Sequence, residues 1–259
     1  MKKIISVIIA AALVAVSVLC FASCSNDDKK PVLNVYTNAG FAPYEYLDAQ
    51  GNVVGVDIDV IKYIGEKLGY EVVINDIEFN QVLAEVAKDK FAVGASGMSK
   101  KPDRDQVALA SNVYATSVQY VIAPKGAFTG DVVKLEDAVA YAATQANKGI
   151  GVQKGTTGAD MVAGAVEGNE AAIFEYSNAI VASQDIGTTV SAVVIDKMPA
   201  QAICADNADL ECWSLDADPE SYVMYFNLEA TELVAQVNEI LDKMIADGLV
   251  DQYTVNHSK

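Results

Sequence analysis

Short apolar runs alternate along this chain with stretches in which apolar residues recur every three or four positions. Alternation of these two periods predicts an α/β fold. Val32–Thr37 reads as a strand, ended by Asn38, Gly40 and Pro43. Ile58, Ile61, Ile64 and Leu68 then share one helical face, with Asp57 as the expected cap and Gly69 as the stop. Residues 71–74 predict a strand, 81–88 a helix and 91–95 a strand. The last of these leads into the polar loop Ser96-Gly97-Met98-Ser99-Lys100-Lys101-Pro102-Asp103-Arg104. A second unit of the same kind follows Ala123-Pro124-Lys125-Gly126. It has strands at 150–153, 171–174 and 190–195, a turn into a helix at Lys154–Asp160, and a helix at 177–185. A strand at 222–226 and a helix carrying Leu233, Val237, Ile240, Leu241 and Met244, ended by Gly248, complete the pattern.

The first residues break this rhythm. Lys2 and Lys3 precede an uncharged apolar run from Ile4 to Leu19, and Phe21-Ala22-Ser23-Cys24 follows. This predicts a secretory signal peptide over 1–23. The run is short of the ~20 apolar residues that span a bilayer. Its Ala-Ser-Cys ending resembles a bacterial lipobox and marks Cys24 as the expected lipidated residue. Residues 24–30 then form a polar tether.

Composition narrows the chemistry. The formal net charge of −17 argues against nucleic acid as a partner. The single histidine, His257, lies in a polar C-terminal segment, which excludes Ser-His-Asp, Cys-His and HExxH machinery. Phosphate-binding GxxxxGK[ST] and GxGxxG motifs are missing, so neither a cofactor nor a metal is expected. Cys204 and Cys212 are too few for a structural zinc site, but they could close a small disulfide loop in an exported protein. Arg104 is the only arginine, and the other cationic side chains are all lysine. A guanidinium offers a planar fork that matches a carboxylate with two parallel hydrogen bonds, which an ammonium cannot do.

Five segments carry a resemblance that covers residues 32 to about 252. They are Thr37-Asn38-Ala39-Gly40-Phe41-Ala42-Pro43-Tyr44-Glu45-Tyr46, Gly55-Val56-Asp57-Ile58-Asp59-Val60, Gly97-Met98-Ser99 with Arg104, Gly151-Val152-Gln153-Lys154-Gly155-Thr156-Thr157-Gly158, and Val194-Ile195-Asp196. In this order and spacing the chain resembles the polar amino acid-binding family of extracellular solute-binding proteins, the receptors of ABC uptake systems. The resemblance implies a type II periplasmic-binding-protein fold, with two α/β lobes joined by two crossover strands around a ligand cleft. The first lobe is expected to combine 31–119 with 222–259, and the second to hold 120–221.

The resemblance also implies the site. Arg104 would grip the ligand α-carboxylate, helped by the backbone N–H and hydroxyl of Thr157 at a helix start. Asp196, at a strand end, would receive the α-ammonium together with the Gly97 carbonyl and the Ser99 hydroxyl. Phe41 and Phe79 would sandwich the side chain. Asn38 stands where basic-amino-acid receptors of the family often carry aspartate, so an uncharged polar ligand is expected rather than lysine or arginine. Val56 replaces the usual phenylalanine, and the aromatic-tryptophan ending of the family is missing. The expected function is a monomeric lipoprotein that binds a free L-amino acid by hinge closure. It would deliver that ligand to a membrane permease from the outer face of the cytoplasmic membrane, or from the periplasm. A sensory module and a dehydratase-like enzyme are the alternatives, the latter with Glu45 or Glu175 as its acid.

Overall fold

The computed structural model describes residues 30–258; the expected signal peptide, the lipidation site Cys24 and nearly all of the tether lie outside the described residues. Two twisted sheets dominate. The first has the order Glu71–Asp76, Val32–Thr37, Ala92–Gly94, Tyr225–Phe226, Leu109–Ala110, with its first three strands parallel. The second runs Ala172–Tyr176, Gly149–Gln153, Ala192–Asp196, Gln119–Pro124, Leu210–Leu215, Val132–Val133. Between the sheets the chain crosses twice, through Ala115–Ser117 and Glu220–Tyr222, which pair antiparallel. The fold is therefore two α/β lobes joined by two crossover strands, of the type II periplasmic-binding-protein kind.

The helix Val56–Leu68 shows how sequence becomes packing. Its face of Ile58, Ile61 and Ile64 is fully buried against the first sheet. Gly69 adopts φ +79°, and the Tyr70 N–H returns to the Gly65 carbonyl at 2.8 Å, closing the last turn in the left-handed way glycine permits. Asp57 does not cap this helix. Gly55 occupies the cap position, and the Asp57 side chain turns inward and is wholly buried.

Other boundaries shift for physical reasons. Residues 81–88 divide into a 3-10 turn at Phe79–Gln81 and a short helix, Val82–Val86. The expected strand at 222–226 is two strands, Glu220–Tyr222 in the crossover and Tyr225–Phe226 in the first sheet. Pro199 does not prevent a helix at Lys197–Asp206, because in the first turn the missing N–H costs nothing. Gly248, at φ +71°, links the helix Thr231–Ala246 to a further helix, Leu249–His257. His257 is not in a loose polar tail. Its Nε2 lies 2.9 Å from Asp59 Oδ2 and its Nδ1 3.1 Å from the Tyr46 hydroxyl, which ties the last helix to the first lobe. Among the described residues no helix is long and apolar enough to cross a membrane.

Candidate functional site

The C-terminal ends of strands from both sheets converge on one cavity, where open α/β sheets receive ligands. Its walls come from the loops after Val32–Thr37 and Ala92–Gly94, the helix start after Gly149–Gln153, and the end of Ala192–Asp196. Seven of the eight residues singled out from the sequence line it: Phe41, Phe79, Gly97, Ser99, Arg104, Thr157 and Asp196.

Arg104 sits in the four-residue helix Pro102–Asp105 and is buried. Its Nη1 donates to the Ser99 carbonyl at 2.8 Å and its Nη2 to the Gly155 carbonyl at 3.1 Å. The guanidinium lies 5.4 Å above the Phe79 ring centroid, so Phe79 is its platform as well as a cavity wall. Two of its five N–H donors are used on neutral carbonyls, and among the described residues no carboxylate forms an ion pair with it.

Opposite, Asp196 is also buried. It accepts from the Tyr222 hydroxyl at 2.6 Å and from Gln119 Nε2 at 3.1 Å. Burial pushes its carboxyl up to about 6, with the neighbouring Glu220 carboxylate adding to the rise. Gly97 has φ +51°, and a Cβ there would lie 2.6 Å from Phe41 Cε1. Only glycine lets the loop meet that ring. Phe41 in turn packs against Tyr44 and Tyr222, with ring centroids at 5.8 and 6.4 Å.

Thr156 caps the helix Thr157–Val166, accepting from the Ala159 N–H at 3.1 Å, and Thr157 is its first residue. The Thr157 hydroxyl donates to Glu220 Oε2 at 2.7 Å, so its single proton is committed. What Thr157 can give a ligand is its backbone N–H at the helix start. Asn38 is the one residue singled out from the sequence that does not line the cavity. Its amide donates to the Ile77 carbonyl at 2.7 Å and accepts from Gln153 Nε2 at 2.9 Å, a contact that joins the two lobes. Lys101 and Asp160 make a second such bridge at 2.5 Å.

Sequence reading missed Ser96, Gln153 and Thr156 as cavity residues, and gave Glu45 no ligand role. Glu45 is almost fully buried. Its Oε1 accepts from the Ser96 hydroxyl at 3.0 Å, while Oε2 has no hydrogen-bond partner. Burial, reinforced by Asp57, pushes its carboxyl well above the ordinary range. Its sequence context, Pro43-Tyr44-Glu45-Tyr46, does not distinguish an inward from an outward acid. Glu175, the other candidate acid, is exposed on the edge strand Ala172–Tyr176, away from the cavity. Cys204 and Cys212 are free, half-buried thiols that hydrogen-bond to each other, Cys204 as the side with the raised pKa.

Comparisons with known proteins agree with this geometry. Residues 33–257 match the model of the bacterial extracellular solute-binding proteins, family 3. The chain is 29% identical over 126 residues to the arginine-binding extracellular protein ArtP of Bacillus subtilis, covering 48% of this chain and 49% of that one. It is 29% identical over 83 residues to cyclohexadienyl dehydratase of Pseudomonas aeruginosa, covering 32% of this chain and 31% of the enzyme. It spans about half the length, or less, of the first curated relatives it matches. Among solved structures it is similar to an ancestral arginine-binding protein bound to arginine, at TM-score 0.78 and 27% identity over 88% of this chain and 98% of that one. With a family match over nearly all of the described residues and a cleft of the matching architecture, the chain belongs to the bacterial extracellular solute-binding proteins, family 3.

Proposed function

We propose that this protein is the substrate-binding lipoprotein of an ABC-type amino acid uptake system and that its ligand is a free L-amino acid with a cationic side chain. The observation that carries the reading is the set of charges around the cavity that the fold leaves without counter-charges. Arg104 presents unused guanidinium donors at one end, which suits an α-carboxylate. Asp196, linked to the same region through Ser99, Glu220 and Gln119, suits the α-ammonium carried by the same carbon. Glu45 presents a buried oxygen without a partner, and burial disfavours its charged form until a counter-charge arrives. A cationic side chain supplies that partner. The argument from Asn38 for an uncharged ligand loses its force, because that amide is spent on Ile77 and Gln153.

The proposed mechanism is hinge closure about the paired crossover strands, with 31–119 plus 222–259 and 120–221 as the moving lobes. Ligand contacts from both lobes stabilise the closed form. The similarity to arginine-binding proteins supports the ligand class. A thermal-shift panel of the twenty amino acids with ornithine and cystine tests it. A ligand at ~100 times its dissociation constant adds ~2.7 kcal/mol of apparent stability. Arginine, lysine or ornithine should give the largest shift. A larger shift with glutamine or cystine would overturn the cationic reading, and no shift at all would overturn amino acid binding. Attachment through Cys24 is tested by Cys24→Ala, which should release the protein from membranes while ligand binding persists.

One observation favours a second reading. A cavity carboxyl with a raised pKa is what a general acid needs, so Glu45 would serve a dehydratase-like enzyme. Formation of an aromatic product from a cyclohexadienyl acid, followed by absorbance and lost in Glu45→Gln, would establish it.

A further inference from the structure

Glu220 opens the crossover strand Glu220–Tyr222 and lies behind the cavity wall rather than in it. Ser99 and Thr157 separate the two: both line the ligand cavity, and both line the pocket on the other side to which Glu220 belongs. Its Oε2 accepts from the Thr157 hydroxyl at 2.7 Å and from the Ser99 hydroxyl. Its Oε1 accepts from Gln119 Nε2 at 3.0 Å, and the same nitrogen donates to Asp196 Oδ2 at 3.1 Å. One carboxylate thus joins Ser99 of the first lobe, Thr157 of the second, Gln119 at the boundary between them, and the crossover itself.

The consequence follows from proton counting. A hydroxyl has one proton to donate and two lone pairs to accept with. With that proton committed to Glu220, Ser99 can face the cavity only as an acceptor, and Thr157 likewise. An ammonium has three protons to donate to such acceptors, whereas the methylene of a des-amino analogue has none and leaves their lone pairs unpaired. Glu220 also adds a negative charge beside Asp196 at this end. We propose that Glu220 is a positioning residue that fixes the polarity of the α-ammonium subsite, so that the protein demands a protonated α-amine and rejects des-amino analogues. This rests on the amino acid-binding reading and deepens it, since nothing else assigns Glu220 a role.

The test uses the mature chain, calorimetric titration and two probes, L-arginine and its des-amino analogue 5-guanidinopentanoate. Where the panel ranks glutamine first, L-glutamine and 4-carbamoylbutanoate replace them. Glu220→Gln keeps the shape but brings an N–H₂ that competes for the two hydroxyls. It should weaken the amino acid at least tenfold and leave the des-amino analogue within threefold, so that the ratio between them shrinks. A merely structural role would weaken both probes alike or neither, and either result overturns the proposal. Glu220→Ala provides the same comparison should the Gln variant melt early. A parent protein that binds amino acids with an unchanged ratio in both variants sinks this inference alone. A parent that binds no amino acid sinks the function proposed above together with it.

Discussion

The two ends of the cavity are built on opposite principles from the rest of the molecule. Away from the cavity, several polar side chains find firm partners: Lys101 meets Asp160, His257 hydrogen-bonds with Asp59, and Asp57 is held by the Gly97 N–H at 2.8 Å and the Tyr114 hydroxyl at 2.7 Å. Around the cavity, Arg104 is held only by neutral carbonyls, and Glu45 only by one hydroxyl. Asp57 and Glu45 make the contrast sharpest, since both are buried acids of the first lobe. Burial pushes Asp57 to about 6 against two firm donors, whereas Glu45, with one donor, is pushed well above the ordinary carboxylate range. Capacity that the fold leaves unused at the cavity, on Arg104 and Glu45, is what a ligand can take up; Asp196, with two donors of its own, is marked by its place on the cavity wall instead.

The largest effect expected from breaking this contrast is at Arg104. Arg104→Ala leaves the ligand carboxylate buried without its counter-charge, which should cost ~2–5 kcal/mol of binding. Arg104→Lys keeps the charge but loses the fork, and should weaken binding about ten- to a hundredfold. Titration calorimetry of both beside the parent measures this. An affinity within twofold of the parent for Arg104→Ala would make the lone arginine a structural group held by its two carbonyls.

Glu45→Gln comes next. It removes the open negative charge but keeps the volume, so arginine should bind about ten- to a hundredfold more weakly. Glutamine should be affected little, which compresses or reverses the preference. The unliganded fold should become more stable at pH 7.5, because a strained buried acid has been replaced by a neutral amide. Equal losses for arginine and glutamine would place the ligand side chain away from Glu45.

Much of this was legible in the sequence. Five short segments carried the fold, and the α/β alternation located most core strands, because apolar periodicity reports burial directly. Arg104 stood out in the sequence as the single arginine and Asp196 as an acid at a strand end, and the structure places both on the cavity wall. Glu45 was not, because an acid between two tyrosines looks the same whether it points into a cleft or into solvent. Asp57 was misread for a related reason. At the start of a helical pattern an acid is ordinarily a cap, and only the third dimension brings Gly97 and Tyr114 to it. Asn38 was placed at the cleft from the sequence, but its partner there, Gln153, comes from the other lobe and 115 positions along the chain. Glu220, in a crossover, and Gln119, at the start of the strand Gln119–Pro124, had no periodic signal at all.

Lowering the pH should erode the contrast by a smaller amount. Asp196 sits at about 6 in the unliganded protein, above the ~3.8 of an unfolded chain, so the fold favours its protonated form. Its contribution to stability is present at low pH and lost as pH rises through about 6. Binding has the opposite sign, because an ammonium beside Asp196 favours the ionised carboxylate. Affinity should therefore fall, up to about tenfold per unit, as pH drops below about 6. Titrations at pH 5, 6 and 7.5 in buffers of different ionisation enthalpy should also show a proton released on binding. A flat affinity over that range, with no proton released, would mean that no ammonium approaches Asp196.

The smallest effect is expected at His257, on the paired side of the comparison. Its ring bridges Asp59 and Tyr46 and holds the helix Leu249–His257 against the helix Val56–Leu68. His257→Ala removes both hydrogen bonds at a site where the partner carboxylate is partly in water, so the loss should be ~1 kcal/mol. For a domain of this size that lowers the melting temperature by ~2–4 °C. Ligand affinity should stay within twofold, because neither partner of His257 lines the cavity. Thermal melts of the unliganded variant, paired with one titration, separate the two readouts. A large loss of affinity with little loss of stability would place His257 on the ligand's side of the division instead, and the rule drawn from Asp57 and Glu45 would fail at its simplest case.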